Sequence, residues 1–195
     1  MEDSSNIFQI TEEMMSFFIQ AGNPVYNGRL DRNDITLADA IESVFLLETE
    51  NAILMWNHIP IAISYKYDIS YMMDDIIKML DRMQNMDRGE MEIHWLPDTF
   101  RCDWKIKWEF GRLKIVSHWD CTIGCLEEIL NVRANISLPV YDFLCEWKSV
   151  LHVIIRGLEL SGYDEDIING MTELKKQYYG IKQYGTLYRN KNKNR

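Results

Sequence analysis

Apolar and polar positions alternate most regularly between residues 91 and 119. Trp104, Ile106, Trp108 and Phe110 interleave with Asp103, Lys105, Lys107 and Glu109, a period of two that gives a strand one apolar and one charged face. Ile93 and Trp95 precede them on a similar pattern, and Leu113, Ile115 and Trp119 follow after Gly111-Arg112. Three adjacent antiparallel strands with one wet face are expected here.

On either side the period becomes helical. Met73, Ile76, Ile77, Leu80 and Met83 share one face after Ser70, which is placed to cap a helix running to about Met86, with Gly89 closing the segment. Val140, Phe143, Leu144, Trp147, Val150, Leu151, Ile154, Ile155 and Leu158 mark a long helix between Pro139 and Gly162. Asp164-Glu165-Asp166 is expected to open a last helix through Met171, Leu174 and Tyr178, ending at Gly180. Near the start, Thr11 with Met14, Phe17, Phe18 and Ala21 reads as a capped helix ending at Gly22-Asn23-Pro24.

Residues 23–34 are turn-rich and read as an ordered loop or arm. Ser43–Leu47 and Ala52–Trp56 flank a polar turn, as a hairpin would, and Ile61–Tyr67 follows Pro60 as a third strand. The Asn57-His58-Ile59-Pro60 link fits a tight reversal. Residues 121–137 suit either a short helix or a further strand, with the strand preferred over about 128–137. Strands in runs, without strict βαβ alternation, define an α+β fold: an antiparallel β-sheet packed against helices, with two helices at the C-terminus. One domain spans 1–180. The stretch 181–195 carries five bases and no acid and is expected to be a flexible basic tail.

Composition narrows the functional classes. The chain has 195 residues, of which 47% are apolar and 26% charged, enough to build a core without staples and too apolar for disorder. No run approaches the length of a membrane span, and the acidic N-terminus does not look like a signal peptide, so a cytoplasmic chain is expected. In a reducing compartment, Cys102, Cys121, Cys125 and Cys145 are expected to be buried free thiols. The formal net charge is −9, with ten acids against Arg29 and Arg32 in the first 50 residues. Such a body repels nucleic acid and attracts basic partners.

Recognisable chemistry is sparse. Neither of the glycine-rich phosphate-binding motifs occurs, and no cofactor is implied. His118-x-x-Cys121-x-x-x-Cys125 approaches zinc-ligand spacing but lacks an obvious fourth ligand; a strand-end histidine and two thiols is the plainer reading, and no metal is expected. A cysteine nucleophile would need His94, His118 or His152 beside it in space. Asp74-Asp75, Asp98 and Glu127-Glu128 could supply an acid and a base, although neighbours on one helix diverge. Trp104, Trp108 and Trp119 belong to the core. Trp56 and Trp95 lie near loops, and tyrosines crowd the C-terminal region. Exposed aromatics among charges resemble a protein-binding surface.

With Trp104-Lys105-Ile106-Lys107-Trp108 and Leu144-Cys145-Glu146-Trp147-Lys148, the chain resembles in type the cytosolic immunity proteins that bacteria keep against their own secreted or contact-delivered toxins. The likeness lies in being small, acidic, Trp-rich and α+β, with no catalytic motif. It implies stoichiometric inhibition of a cognate toxin, many of which are basic nucleases. The contact surface would then draw on Asp31, Asp34, Asp39, Glu42, Glu48 and Glu50, or on Asp74 and Asp75, with Trp56 or Tyr71 as aromatic anchor. The competing expectation is a small enzyme or ligand-binding domain with a pocket between sheet and helices, marked by His94 or His118 beside an acid. A third is a structural subunit that dimerises through its Met- and Tyr-rich faces.

Overall fold

The structure is a computed structural model that describes residues 16–182. Two antiparallel sheets form the body. Strands β1 (Phe17–Gln20), β2 (Ala52–Trp56) and β3 (Ile59–Ile63) make the smaller, in that order. Strands β4 (Arg88–Trp95), β5 (Phe100–Glu109), β6 (Arg112–Thr122) and β7 (Asn135–Pro139) form a four-stranded meander. The helices are α1 (Leu37–Val44), α2 (Ser70–Asn85), α3 (Glu127–Val132), α4 (Val140–Leu160) and α5 (Met171–Gly180), and a wide helical turn, Tyr65–Ile69, leads into α2. The class is α+β, as the patterning predicts, with the strands divided between two sheets instead of one. Among the described residues, no helix is long and apolar enough to cross a membrane.

The sheets meet through aromatic rings. Trp56 of β2 lies 5.4 Å from Trp104 of β5 and 5.3 Å from Trp119 of β6, centroid to centroid. Phe17 of β1 sits 6.4 Å from Trp104 and 4.9 Å from Phe143 of α4, which joins the cluster to the long helix. The alternation in β5 and β6 is the cause, because every second side chain turns toward this core and the charged set turns to solvent. Each edge-to-face ring pair adds about 0.5–1.5 kcal/mol beyond the area it buries.

Several elements differ from their expected form. The first helix is replaced, over Phe17–Gln20, by a strand whose Phe17 and Ile19 face inward; residues 11–15 lie outside the described residues, as do residues 183–195 of the basic tail. Ile181 is buried and its carbonyl accepts from the Lys148 ammonium, so the packed body extends beyond Gly180. Ser43–Leu47 is no strand. Leu37, Ala40, Ile41 and Val44 form the buried stripe of α1, opened by a capping box in which Thr36 and Asp39 exchange hydrogen bonds. The hairpin partner of β2 is β3, joined through Asn57 and His58, both at positive φ (45° and 68°), as a tight two-residue reversal demands. The last helix starts at Met171, because Asp164 accepts from the amides of Asp166 and Ile167 and folds that stretch into a turn.

Residues 121–137 contain both alternatives, α3 and then β7. Here Asn131 of α3 acts as a one-residue strand: its amide oxygen accepts from the Trp119 N–H and its nitrogen donates to the Trp119 carbonyl, both at 2.8 Å. This continues the pairing of β6 past the end of β7. Asn131→Ala would leave both main-chain groups unpaired and is expected to cost about 2 kcal/mol, read as a lower urea midpoint.

Of the four free cysteines, Cys102 alone is buried. A β-bulge places Asp120 as an extra residue between the Cys102–Trp119 and Arg101–Cys121 pairs, so Asp120 and Cys121 both turn outward. Cys125 is exposed in the turn that follows, and Cys145 is partly covered on α4.

Candidate protein-binding surface

The entry to α2 is held by a buried carboxylate. Asp68 is 1% exposed; one oxygen accepts from the Ser64 N–H at 2.7 Å and the other from the Thr99 hydroxyl. Burial raises its pKa, partly offset by those two donors. Because Thr99 belongs to the β4–β5 loop, Asp68 ties the start of α2 to the far end of β4 and sets the spacing between them. Lys66 fastens the same turn to α1 by donating to the Glu42 carbonyl.

Along the outer side of this assembly, Tyr67 and Tyr71 are 48% and 68% exposed, four residues apart on one helical face. Asp74 is exposed one turn further, and Asp75 pairs with Lys78 at 3.3 Å. A groove of about 600 Å³ runs between α2 and β4. Asp75, Lys78, Asp81 and Arg82 line the helix side, and Glu92, His94 and Leu96 are among those on the strand side. Asp81 accepts from Lys176 at 2.9 Å, Gln177 at 3.0 Å and Asn85 at 3.1 Å. These donors, Lys176 first, hold its carboxyl below the usual range.

Across the open face of the large sheet, Asp103 sits in register between His94 and His118. Its carboxylate meets His94 Nδ1 at 2.6 Å and raises the imidazole's pKa through that bond and its charge. His118 Nε2 lies 3.3 Å from the bulged Asp120. These four side chains stand on a flat, solvated surface. Among the described residues, no cluster of three or more His, Cys, Asp or Glu could hold a metal ion.

The ten sequence-derived contact residues separate into groups. Tyr71, Asp74 and Asp75 come together on α2. Asp31 and Asp34 meet at Tyr163, whose hydroxyl accepts from the Asp31 N–H at 2.9 Å and donates to Asp34 at 2.5 Å, and Asp34 also accepts from Ser43 near the end of α1 at 3.1 Å. Asp39 is committed to Thr36 in the capping box, which holds its carboxyl below the usual range. Glu50 accepts from the Asn23 amide at 2.8 Å, while Glu42 and Glu48 are exposed. Trp56 is excluded as an anchor: it is fully buried, and its indole N–H donates to the Arg133 carbonyl at 2.9 Å. Sequence reasoning missed Tyr67, Asp81, Glu92 and Leu96. Alternation placed Glu92 and His94 on the wet face, but nothing in one dimension put α2 beside them.

Comparison of the chain with protein-family models, curated proteins and solved structures found no significant match.

Proposed function

We propose that this chain is a protein-binding inhibitor of the immunity type, residing in the cytoplasm of a bacterium and neutralising a basic toxin by stoichiometric binding. The supporting observation is the α2 surface, where exposed Tyr67 and Tyr71 stand beside Asp74, Asp75 and the groove. Rigid aromatic anchors ringed by charge are the usual energetic centre of an interface, and carboxylates around them steer a basic partner and fix its register.

The test begins with capture of the partner from the native host, followed by its expression with and without this chain. A basic protein whose toxicity the chain suppresses is the expected result. Tyr71→Ala with Asp74→Lys is then expected to weaken binding by about tenfold or more and to reduce its salt sensitivity. Asp31→Asn with Glu48→Gln, away from α2, should leave affinity unchanged. If the α2 variant binds as tightly as the natural chain, this surface is not the interface.

The second reading, a small enzyme, draws on the His94–Asp103 pair. It is the weaker one, because a general base works best in a water-excluded pocket and His94 lies on an exposed face.

A further inference from the structure

The hydrogen-bond parity of the large sheet follows from one turn. Strands β5 and β6 are joined through the two residues Phe110-Gly111, so Glu109 and Arg112 form the bonded pair next to it. Bonded and non-bonded pairs then alternate. Odd-numbered β5 residues bond to β6, and even-numbered ones bond to β4 through the pairs Trp108–Gly89, Ile106–Met91 and Trp104–Ile93. The main-chain groups of Glu90, Glu92 and His94 therefore point away from the sheet, toward the groove. The Arg82 guanidinium, which donates to the Glu90 carbonyl at 3.0 Å, meets that edge from outside.

Other edges of the two sheets are capped by side chains. Glu146 accepts from Ile19 of β1 at 2.9 Å, Asn131 satisfies Trp119, and Asn57 donates to the Asn135 carbonyl of β7 at 2.9 Å. On β3, Pro60 has no N–H to offer and Ser64 is bonded to Asp68, which leaves Ala62 alone between them. Edge strands left bare invite pairing, and these devices leave only short bare stretches, among them Ala62 and Ser137. Glu92 and His94 differ. Their side chains engage Lys105 at 3.7 Å and Asp103 at 2.6 Å within the sheet. Among the described residues, their outward N–H and C=O groups have no hydrogen-bond partner.

We infer that an extended, basic segment of a protein partner adds as a further strand to β4, bonding to the main chain of Glu92 and His94 in the groove beside α2. The inference rests on the protein-binding reading and specifies how the partner is held. Charge selects the occupant. On the open face β4 presents Glu90 and Glu92, opposite Lys107 and Lys105 of β5, between Arg88 and His94, so an incoming strand meets two successive carboxylates and gains from Lys or Arg at the two alternate positions facing them. A second copy pairing through its own β4 in the register that covers the whole strand would set Glu90 against Glu92 and Arg88 against His94, which disfavours that arrangement.

The experiment uses the full chain, with the heptapeptide acetyl-Lys-Thr-Lys-Thr-Lys-Thr-Lys-amide and its Glu-Thr counterpart as probes, followed by amide NMR and hydrogen exchange. The Lys peptide is expected to shift and protect the Glu92 and His94 amides, and the Glu peptide to leave them unchanged. Glu92→Gln removes the carboxylate and keeps the outward N–H, whereas Glu92→Pro removes both, and the Pro variant is expected to bind the Lys peptide about tenfold or more weaker than the Gln variant. Should the Pro variant fail to fold, Glu90→Lys with Glu92→Lys retains every main-chain donor and is expected to reverse the preference between the two peptides. Unprotected Glu92 and His94 amides, equal binding of both peptides, or a folded Glu92→Pro chain that binds as tightly as Glu92→Gln would each overturn strand addition. A captured partner that binds Glu92→Pro with full affinity would remove strand addition and leave the protein-binding reading standing. Loss of that reading would instead show as capture from the native host that yields no stoichiometric protein partner.

Discussion

Trp104→Ala is expected to cost about 4 kcal/mol, within the range for emptying a large aromatic site. Trp104 is fully buried at the point where all parts of the core meet. Its ring lies 5.3 Å from Trp95, 5.4 Å from Trp56, 6.3 Å from Phe100 and 6.4 Å from Phe17. Three of these are edge-to-face contacts that a smaller side chain cannot keep, and the neighbours are themselves large rings with little freedom to collapse inward. A domain of this size is held by only about 5–15 kcal/mol, so the variant should unfold at a much lower urea concentration with an unchanged slope. A loss below about 1 kcal/mol would mean that the two sheets do not share this core.

The second large effect is expected at Asp68. Asp68→Ala would leave the Ser64 N–H and the Thr99 hydroxyl without an acceptor in a buried site, at a cost of about 3 kcal/mol. Asp68→Asn can accept from Ser64 and donate to Thr99, and should cost no more than about 1 kcal/mol. The two also differ in pH dependence. Burial raises the Asp68 pKa above 3.8, so the folded chain holds this proton more tightly than the unfolded one. Its contribution is complete below the unfolded value and is lost as pH rises through the folded value. Urea titrations of the natural chain and Asp68→Asn across that window should converge at the acidic end and separate above it. Parallel curves would show that Asp68 titrates as it does in the unfolded chain.

The larger sheet and the two longest helices were legible because their periods are unambiguous. Trp104 through Trp108 alternates without a fault, and Val140 through Leu158 keeps one stripe for five turns; Phe110, expected to continue the apolar face, instead forms the β5–β6 turn at positive φ and is exposed. Phe17 and Ile19 failed because Phe17, Phe18 and Ala21 satisfy a helical spacing as well as Phe17 and Ile19 satisfy a strand's, and pairing with β2 decided between them. Thr36 and Asp39 form a capping box three residues apart, a signal available in the sequence that the apolar run after it obscured. Of the candidate surface, Tyr71, Asp74 and Asp75 could be found from charge and exposure. Glu92 and His94 could not, because a strand becomes an edge only when nothing pairs with it, a property of the whole topology.

The aromatic core also makes the protein an optical instrument of a particular kind. All six tryptophans are inside the fold, none more than 2% exposed, so a quencher dissolved in the solvent cannot collide with an indole while the chain is folded. Emission therefore follows opening of the core and is blind to most events at the surface. The exception is Trp108, over whose ring the Arg82 guanidinium lies at 5.8 Å. A ligand that draws Arg82 away would alter the light from one emitter in six, leaving the other five as an internal reference.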